Sequence, residues 1–243
     1  MSVYAVADLH GVLELYNQIK EFLKPEDIVY CLGDCGDRGP QPWETITTIY
    51  NDNQFIYLKG NHEDMLCDAM QDFINGYGFG HNYSLLRSNG GKVTFYDWTC
   101  LYNEDSNLGR SWYYNLKDLP IFETYTNKRG QEIFLTHAGF TPPINLAYEY
   151  DLLWDRYHFN QKWDEENFLN TVVVHGHTNW YSVMGKLGLY PDIDSPEPRA
   201  FTYCNGHKIC IDNASFYTGQ TVLLNLDTFE VIPFQIPGGD WEE

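Results

Sequence analysis

Gly33-Asp34-Cys35-Gly36-Asp37-Arg38-Gly39 leaves the apolar run 28–32 directly, and Gly60-Asn61-His62-Glu63 leaves the next apolar run, 54–58, in the same way. A loop that sets two carboxylates and an arginine among three glycines, straight after a strand-like segment, is a place where backbone and side chains converge on a ligand. Three more clusters follow the same rule. Asp8-Leu9-His10-Gly11 follows the run 3–7, Thr136-His137-Ala138-Gly139 closes the run 132–136, and His175-Gly176-His177-Thr178 follows 170–174. A sheet whose strands each deliver a polar group at one edge forms an active-site rim.

Between these clusters the hydrophobic spacing turns helical. Val12, Leu15, Ile19, Phe22 and Leu23 predict a helix over 11–23 ended by Pro25, and Ile46 and Ile49 mark another over 43–50. A third begins near Glu63, with Met65, Leu66, Ala69, Met70 and Phe73 on one side. The alternation predicts an α/β fold with a largely parallel sheet. Residues 76–118 break it and read as an inserted helical lobe, helical over 83–87 and 93–101. Beyond it the spacing predicts a hairpin of 121–125 and 132–136 about the turn 127–130, then a partly helical connection over 146–168. Strands follow at 170–174, 200–204, 208–212, 220–226 and 230–235, with a proline- and acid-rich loop at 191–198 and a loose tail at 237–243. One domain over 1–243 is expected.

The formal charge of −19 makes the average surface repel nucleic acid and anionic lipid, while a few of the carboxylates are expected to bind divalent metal. No run approaches the ~20 apolar residues of a membrane span. The N-terminus enters a strand at once and does not read as a signal peptide, so a cytoplasmic location is expected. Six cysteines without paired CxxC spacing are expected as free thiols.

Carboxylates, imidazoles and one amide make up the ligand set of a two-metal phosphate-cleaving site. Asp34 is the bridging candidate; Asp8 and His10, two apart in extended chain, suit a first ion. Asn61, His137 and either His175 or His177 suit a second. His62 stands beside Asn61 as a general acid, oriented by Asp37. Arg38 and Arg156 are forks for phosphate oxygens. His81, His158 and His207 read as surface or core histidines, and Trp180 and Tyr181 as groove-lining aromatics.

These segments resemble the phosphoprotein phosphatase family of the calcineurin-like metallophosphoesterase superfamily, with its GDxHG, GDxxDRG, GNHE, lone-His and GHTP signatures. Ser88-Asn89-Gly90-Gly91, Leu153-Trp154-Asp155-Arg156 and Ile211-Asp212-Asn213-Ala214 are similar to the NGG, WxR and IDTGA segments of its compact bacterial and phage branch. Ala7, Lys59 and Asn179 depart from the signatures without removing a ligand. The resemblance implies a β-sandwich of two mixed sheets flanked by helices. It implies Asp8, His10 and Asp34 on one metal, Asp34, Asn61, His137 and His177 on the other, His62 and Asp37 as the acid pair, and Arg38 and Arg156 on phosphate.

The expectation is a metal-dependent phosphomonoester hydrolase of the serine/threonine protein phosphatase type, dual specificity included. Two divalent ions, Mn²⁺ first and Fe or Zn as alternatives, hold an attacking hydroxide between them, and the partner is a phosphorylated protein or a small phosphoester. A dinucleoside tetraphosphate hydrolase or nucleotide phosphatase on the same core is the rival, and a catalytically silent metal-binding scaffold the third reading. The average charge disfavours polyanions.

Overall fold

The computed structural model describes residues 1–141, 148–189 and 197–236. Strands β1 (Val3–Val6), β2 (Ile28–Cys31) and β3 (Phe55–Tyr57) run parallel, with Val3 opposite Ile28 and Val29 opposite Phe55. Parallel neighbours need crossovers, which α1 (Leu13–Phe22) and α2 (Pro42–Asn51) provide. Two late strands, β9 (Gln220–Asn225) and β10 (Val231–Gln235), add antiparallel on the other side of β1, giving the order β10-β9-β1-β2-β3.

The second sheet has the order β4-β5-β6-β8-β7. Its middle, β5 (Glu132–Thr136), β6 (Thr171–His175) and β8 (Lys208–Cys210), is parallel, and its edges β4 (Phe122–Thr126) and β7 (Phe201–Tyr203) are antiparallel. The β4–β5 turn is closed by Asn127, whose amide donates to the Gln131 carbonyl. Both sheets are therefore mixed, as the family resemblance implied.

Period-two alternation explains how they stack. Val3 and Ala5 of β1, Val172 and Val174 of β6, and Val222 and Leu224 of β9 meet in one apolar layer between the sheets. Their neighbours Tyr4, Val6 and Leu223 turn the other way, into the core shared with α1, α2 and the helices after β3. Val173 faces outward against Phe140, Leu152 and Trp163.

After β3 the chain runs through α3 (Asn61–Ile74), α4 (His81–Ser88), α5 (Lys92–Glu104) and α6 (Ser106–Lys117). Phe73 of α3 meets Phe95, Trp98 and Tyr102 of α5 edge to face, so the aromatic content is packing material here. The helical reading of 93–101 stopped short of α6. Gly109 disguises that helix in the sequence, yet it lets α6 lie against Tyr102, and its carbonyl accepts the Trp98 Nε1 proton. Asp105 caps the start by accepting from the Asn107 and Leu108 amides. Three short helices complete the frame: α7 (Glu149–Trp154), α8 (Trp180–Lys186) and α9 (Ser215–Thr218).

Most of the loop expected over 191–198, the start of the connection expected over 146–168, and the tail 237–243 lie outside the described residues. All six cysteines are free thiols, and no helix among the described residues is long and apolar enough to cross a membrane.

Where the loops leaving β2 and β3 touch, Gly33 has φ +89° and a Cβ there would sit 2.4 Å from the Gly60 nitrogen. Gly33→Ala is expected to lower the unfolding free energy by at least ~2 kcal/mol in chemical denaturation, because neither backbone can yield without moving the adjacent carboxylates.

Candidate metal centre

Every parallel strand end contributes. The loops leaving β1 and β2 are zipped together by backbone bonds from Asp8 to Gly33, His10 to Asp34 and Gly11 to Cys35, at 3.2, 2.9 and 2.7 Å. That path forces residues with side chains into left-handed backbone. Of the ten non-glycine residues with positive φ among the described residues, six are Asp8, His10, Asp34, Asp37, Arg38 and His177. Each such conformation costs roughly 1–3 kcal/mol and persists only where the surroundings over-determine it, so the strain is concentrated at one place.

Asp34 sits at the N-terminus of α3, where its Oδ1 accepts the His62 amide at 3.0 Å and the helix dipole favours its charge. Glu63 fixes the surrounding loops. Its carboxylate accepts the amides of Asp34 (2.8 Å), Cys35 (3.0 Å) and Gly60 (2.9 Å) and the Tyr57 hydroxyl (2.6 Å), joining the exits of β2 and β3.

Two donor clusters share Asp34. On one side are His10 and His62, whose Nε2 atoms lie 3.7 and 3.8 Å from Asp34 Oδ2. On the other, His137 Nε2 lies 3.4 Å from the same oxygen, 2.8 Å from Asn61 Oδ1 and 3.2 Å from His177 Nδ1. The far nitrogens are occupied: His10 Nδ1 donates to the Gly36 carbonyl and His137 Nδ1 to the Leu32 carbonyl, so Nε2 of each is the atom turned inward. His62 Nδ1 lies 2.7 Å from Asp37 Oδ2, and Thr94 of α5 donates its hydroxyl to Asp37 Oδ1.

The charges ask for cations. Burial, and after it the nearby Asp212 carboxylate, push Asp8 well above the usual carboxylate range, and burial lifts Asp212 to about 6. Burial opposes charge on His137, yet Asp34 beside it raises that imidazole to about 10. Burial and then the Arg38 guanidinium hold His10 well below its ordinary value. Arg38 spans His10 Nε2 at 2.9 Å and His62 Nε2 at 2.8 Å, while Arg156 Nε donates to His177 Nε2 at 3.0 Å. Lone pairs that already gather positive groups around shared carboxylates fit divalent ions, and N/O donors of this kind suit Mn, Fe or Zn.

The structure brings His10, Asp34, Asn61, His62, His137 and His177 together, with Asp37, Arg38 and Arg156 against them. Asp8 is buried in the same field, but both its oxygens accept the His177 amide, at 3.1 and 3.0 Å, and it lies outside the two closest donor clusters. The two candidate histidines of 175–177 point in different directions. His175 faces Tyr203, whose hydroxyl is 2.9 Å from its Nε2, while His177 turns to Asn61. His158 is a core histidine, its Nε2 donating to the Ala138 carbonyl.

A groove of about 1100 Å³ opens above the clusters. Its aromatic lining is Trp154, Phe216 and Tyr217, not the expected Trp180 and Tyr181. Trp180 is buried beneath the Arg199 guanidinium, 4.5 Å from its ring. Sequence reading gave no role to Glu63, Thr94 or Asp212. Glu63 stood inside the quoted 60–63 cluster and Asp212 follows β8 just as the other site residues follow their strands, whereas Thr94 carried no signal.

The calcineurin-like phosphoesterase family model matches residues 1–211. A symmetrical bis(5'-nucleosyl)-tetraphosphatase of Pseudomonas syringae pv. syringae (strain B728a) is 37% identical over 67 residues, which are 26% of this chain and 23% of that protein, so the match spans about a quarter of the relative. Among solved structures, a candidate diadenosine tetraphosphatase aligns over 97% of this chain and 94% of its own, with TM-score 0.59 at 16% identity. A protein serine/threonine phosphatase from Saccharomyces cerevisiae, with similarity to human phosphatase PP5, aligns over 98% and 81%, with TM-score 0.58 at 13% identity. At such identities these two structures speak for the fold alone.

Glu63→Gln leaves one acceptor oxygen where two served four donors. The variant is expected to lose about 2–4 kcal/mol of unfolding free energy in urea titration, with buried amides of the Asp34 loop left unpaired.

Proposed function

The chain belongs to the calcineurin-like phosphoesterase family and is a phosphoesterase, and on that premise we propose that it hydrolyses phosphate esters at the Asp34 centre with His62 as proton donor. The observation that carries this reading is the convergence on Asp34 of side chains from separate strand ends, with the His62–Asp37 pair directly beside them. Asp8, His10 and Asp34 would hold one divalent ion, and Asp34, Asn61, His137 and His177 the other, Mn²⁺ first and Fe or Zn as alternatives. When bound, such ions neutralise phosphate oxygens and acidify water.

The chain's own residues do the rest. Asp37 accepts a hydrogen bond from the Nδ1–H of His62 and so stabilises the doubly protonated ring, which donates from Nε2 to the leaving oxygen. Thr94 keeps Asp37 from rotating away. Arg38 and Arg156 flank the two clusters and can grip phosphate oxygens in fork geometry. Water adds its oxygen to phosphorus and the ester P–O bond breaks, with no phosphoenzyme. Phosphorylated serine or threonine is one substrate reading, supported by the fold shared with the yeast phosphatase. Dinucleoside tetraphosphate is the second, with comparable support from the partial match to the bacterial tetraphosphatase.

Chelation is expected to abolish aryl phosphate hydrolysis, and Mn²⁺ to restore it. The same ion should raise the melting temperature of the wild type and raise it less in Asp34→Asn. His62→Asn should lower kcat about 10²–10⁴-fold while keeping the Mn²⁺-dependent thermal shift. Single turnover in heavy-oxygen water should place one label in phosphate. Metal-replete protein inactive on phosphopeptide, diadenosine tetraphosphate and aryl phosphate alike would instead mark a silent scaffold.

A further inference from the structure

The groove contradicts the charge of the rest of the chain. Arg38, Lys92, Arg156 and Lys186 are four of only fifteen basic residues, and all four line it, against the carboxylates Asp34 and Asp212 among the described lining residues. A chain of net charge −19 has placed four of its fifteen basic residues around one opening. The two arginines touch the histidines of the donor clusters. The two lysines do not, and the ion pairs found for lysines among the described residues, at Lys20 and Lys128, involve neither of them.

Helix stability does not explain both positions. Lys92 is the first residue of α5, where the helix dipole disfavours a cation. Lys186 ends α8, a favourable place, and its ammonium lies 6.0 Å from the Phe159 ring, at the limit of a cation–π contact. A single phosphate ester carries a charge of about −2, which the two arginines alone match. The lysines are left to face further negative charge.

We propose that Lys92 and Lys186 form a second phosphate subsite, so that the substrate is a nucleoside polyphosphate. This rests on the phosphoesterase reading above. The scissile phosphate lies at the Asp34 centre between the arginines, and each further phosphate brings about one more negative charge toward the lysines. Trp154, Phe216 and Tyr217 give the groove aromatic faces for a base, and Tyr217 is 66% exposed at its rim. In the reaction, the oxygen of water bonds to phosphorus, the P–O–P bridge breaks, and the departing phosphate oxygen takes the proton from His62. The products are a phosphate or nucleotide and a chain shortened accordingly.

The test compares inhibition of aryl phosphate hydrolysis by inorganic tripolyphosphate and by orthophosphate at saturating Mn²⁺, in the wild type and in Lys92→Ala/Lys186→Ala. Tripolyphosphate is expected to inhibit the wild type at least tenfold more strongly, and the double variant should reduce that ratio about tenfold. Each single variant should take part of the loss. Turnover of adenosine triphosphate relative to a phosphopeptide should fall in parallel. An unchanged ratio in the double variant, or a wild type with no preference for tripolyphosphate, would overturn the subsite and leave the phosphopeptide reading standing. Absence of any aryl phosphate hydrolysis would instead remove the reading on which the subsite depends.

Discussion

Asp8, Asp34 and Asp212 are buried in one another's field, and carboxylates so placed persist only with positive charge close by. The rest of the centre answers that requirement. Asp34 gathers imidazoles at 3.4, 3.7 and 3.8 Å, drawn from the loops after β1 and β5 and from the first turn of α3 after β3. The parallel strands matter because their ends lie side by side, so short loops can bring distant parts of the chain to one carboxylate. Glu63 then prevents those loops from relaxing, spending its own acceptors on amides rather than on a ligand.

Much of this was legible because strand ends and ligands are neighbours in sequence. The clusters at 8–11, 33–39 and 60–63 announce themselves as polar residues directly after apolar runs; the alternation gave the parallel strands, and the two-sheet arrangement came from the family resemblance. Direction was not legible from spacing. His175 is the last residue of β6 and points toward β7, whereas His177 lies beyond the strand with φ +63° and swings the other way. Neither outcome shows in a His-Gly-His string. Glu63 closes the 60–63 cluster, but nothing in its spacing says that it binds backbone amides rather than a ligand, and Thr94 looks like any polar residue within a helix. Their roles exist only once β2, β3 and α5 are packed together.

Charge shows the same gap between average and local quantities. A chain summed to −19 ought to repel polyanions, and its fifteen basic residues form no visible stripe. Yet Arg38, Lys92, Arg156 and Lys186, drawn from four separate segments, share one opening. Field lines concentrated in a groove with low-dielectric walls act on a ligand more strongly than the diffuse charge of the outer surface. The net charge therefore describes the average surface, while the groove has charge of the opposite sign gathered at its wall.

The helical segment after α3 proves to be part of that groove and part of the chemistry at once. The Gly90 carbonyl accepts the Arg38 amide at 3.2 Å, and the Asn89 carbonyl lies 3.4 Å from Arg38 Nε. A Cβ on Gly91 would meet Asp37 Oδ2 at 2.8 Å, and Thr94 one turn further holds the other oxygen. The strand ends thus supply the donor clusters, while this segment aims the arginine and the carboxylate that orients His62. Because Lys92 stands between Gly91 and Thr94, a change that re-aims the groove wall also moves the support of the His62–Asp37 pair. On the proposed reading, groove wall and proton donor meet at one helix start, so altering the first without disturbing the second calls for changes on the α8 and α9 side of the groove.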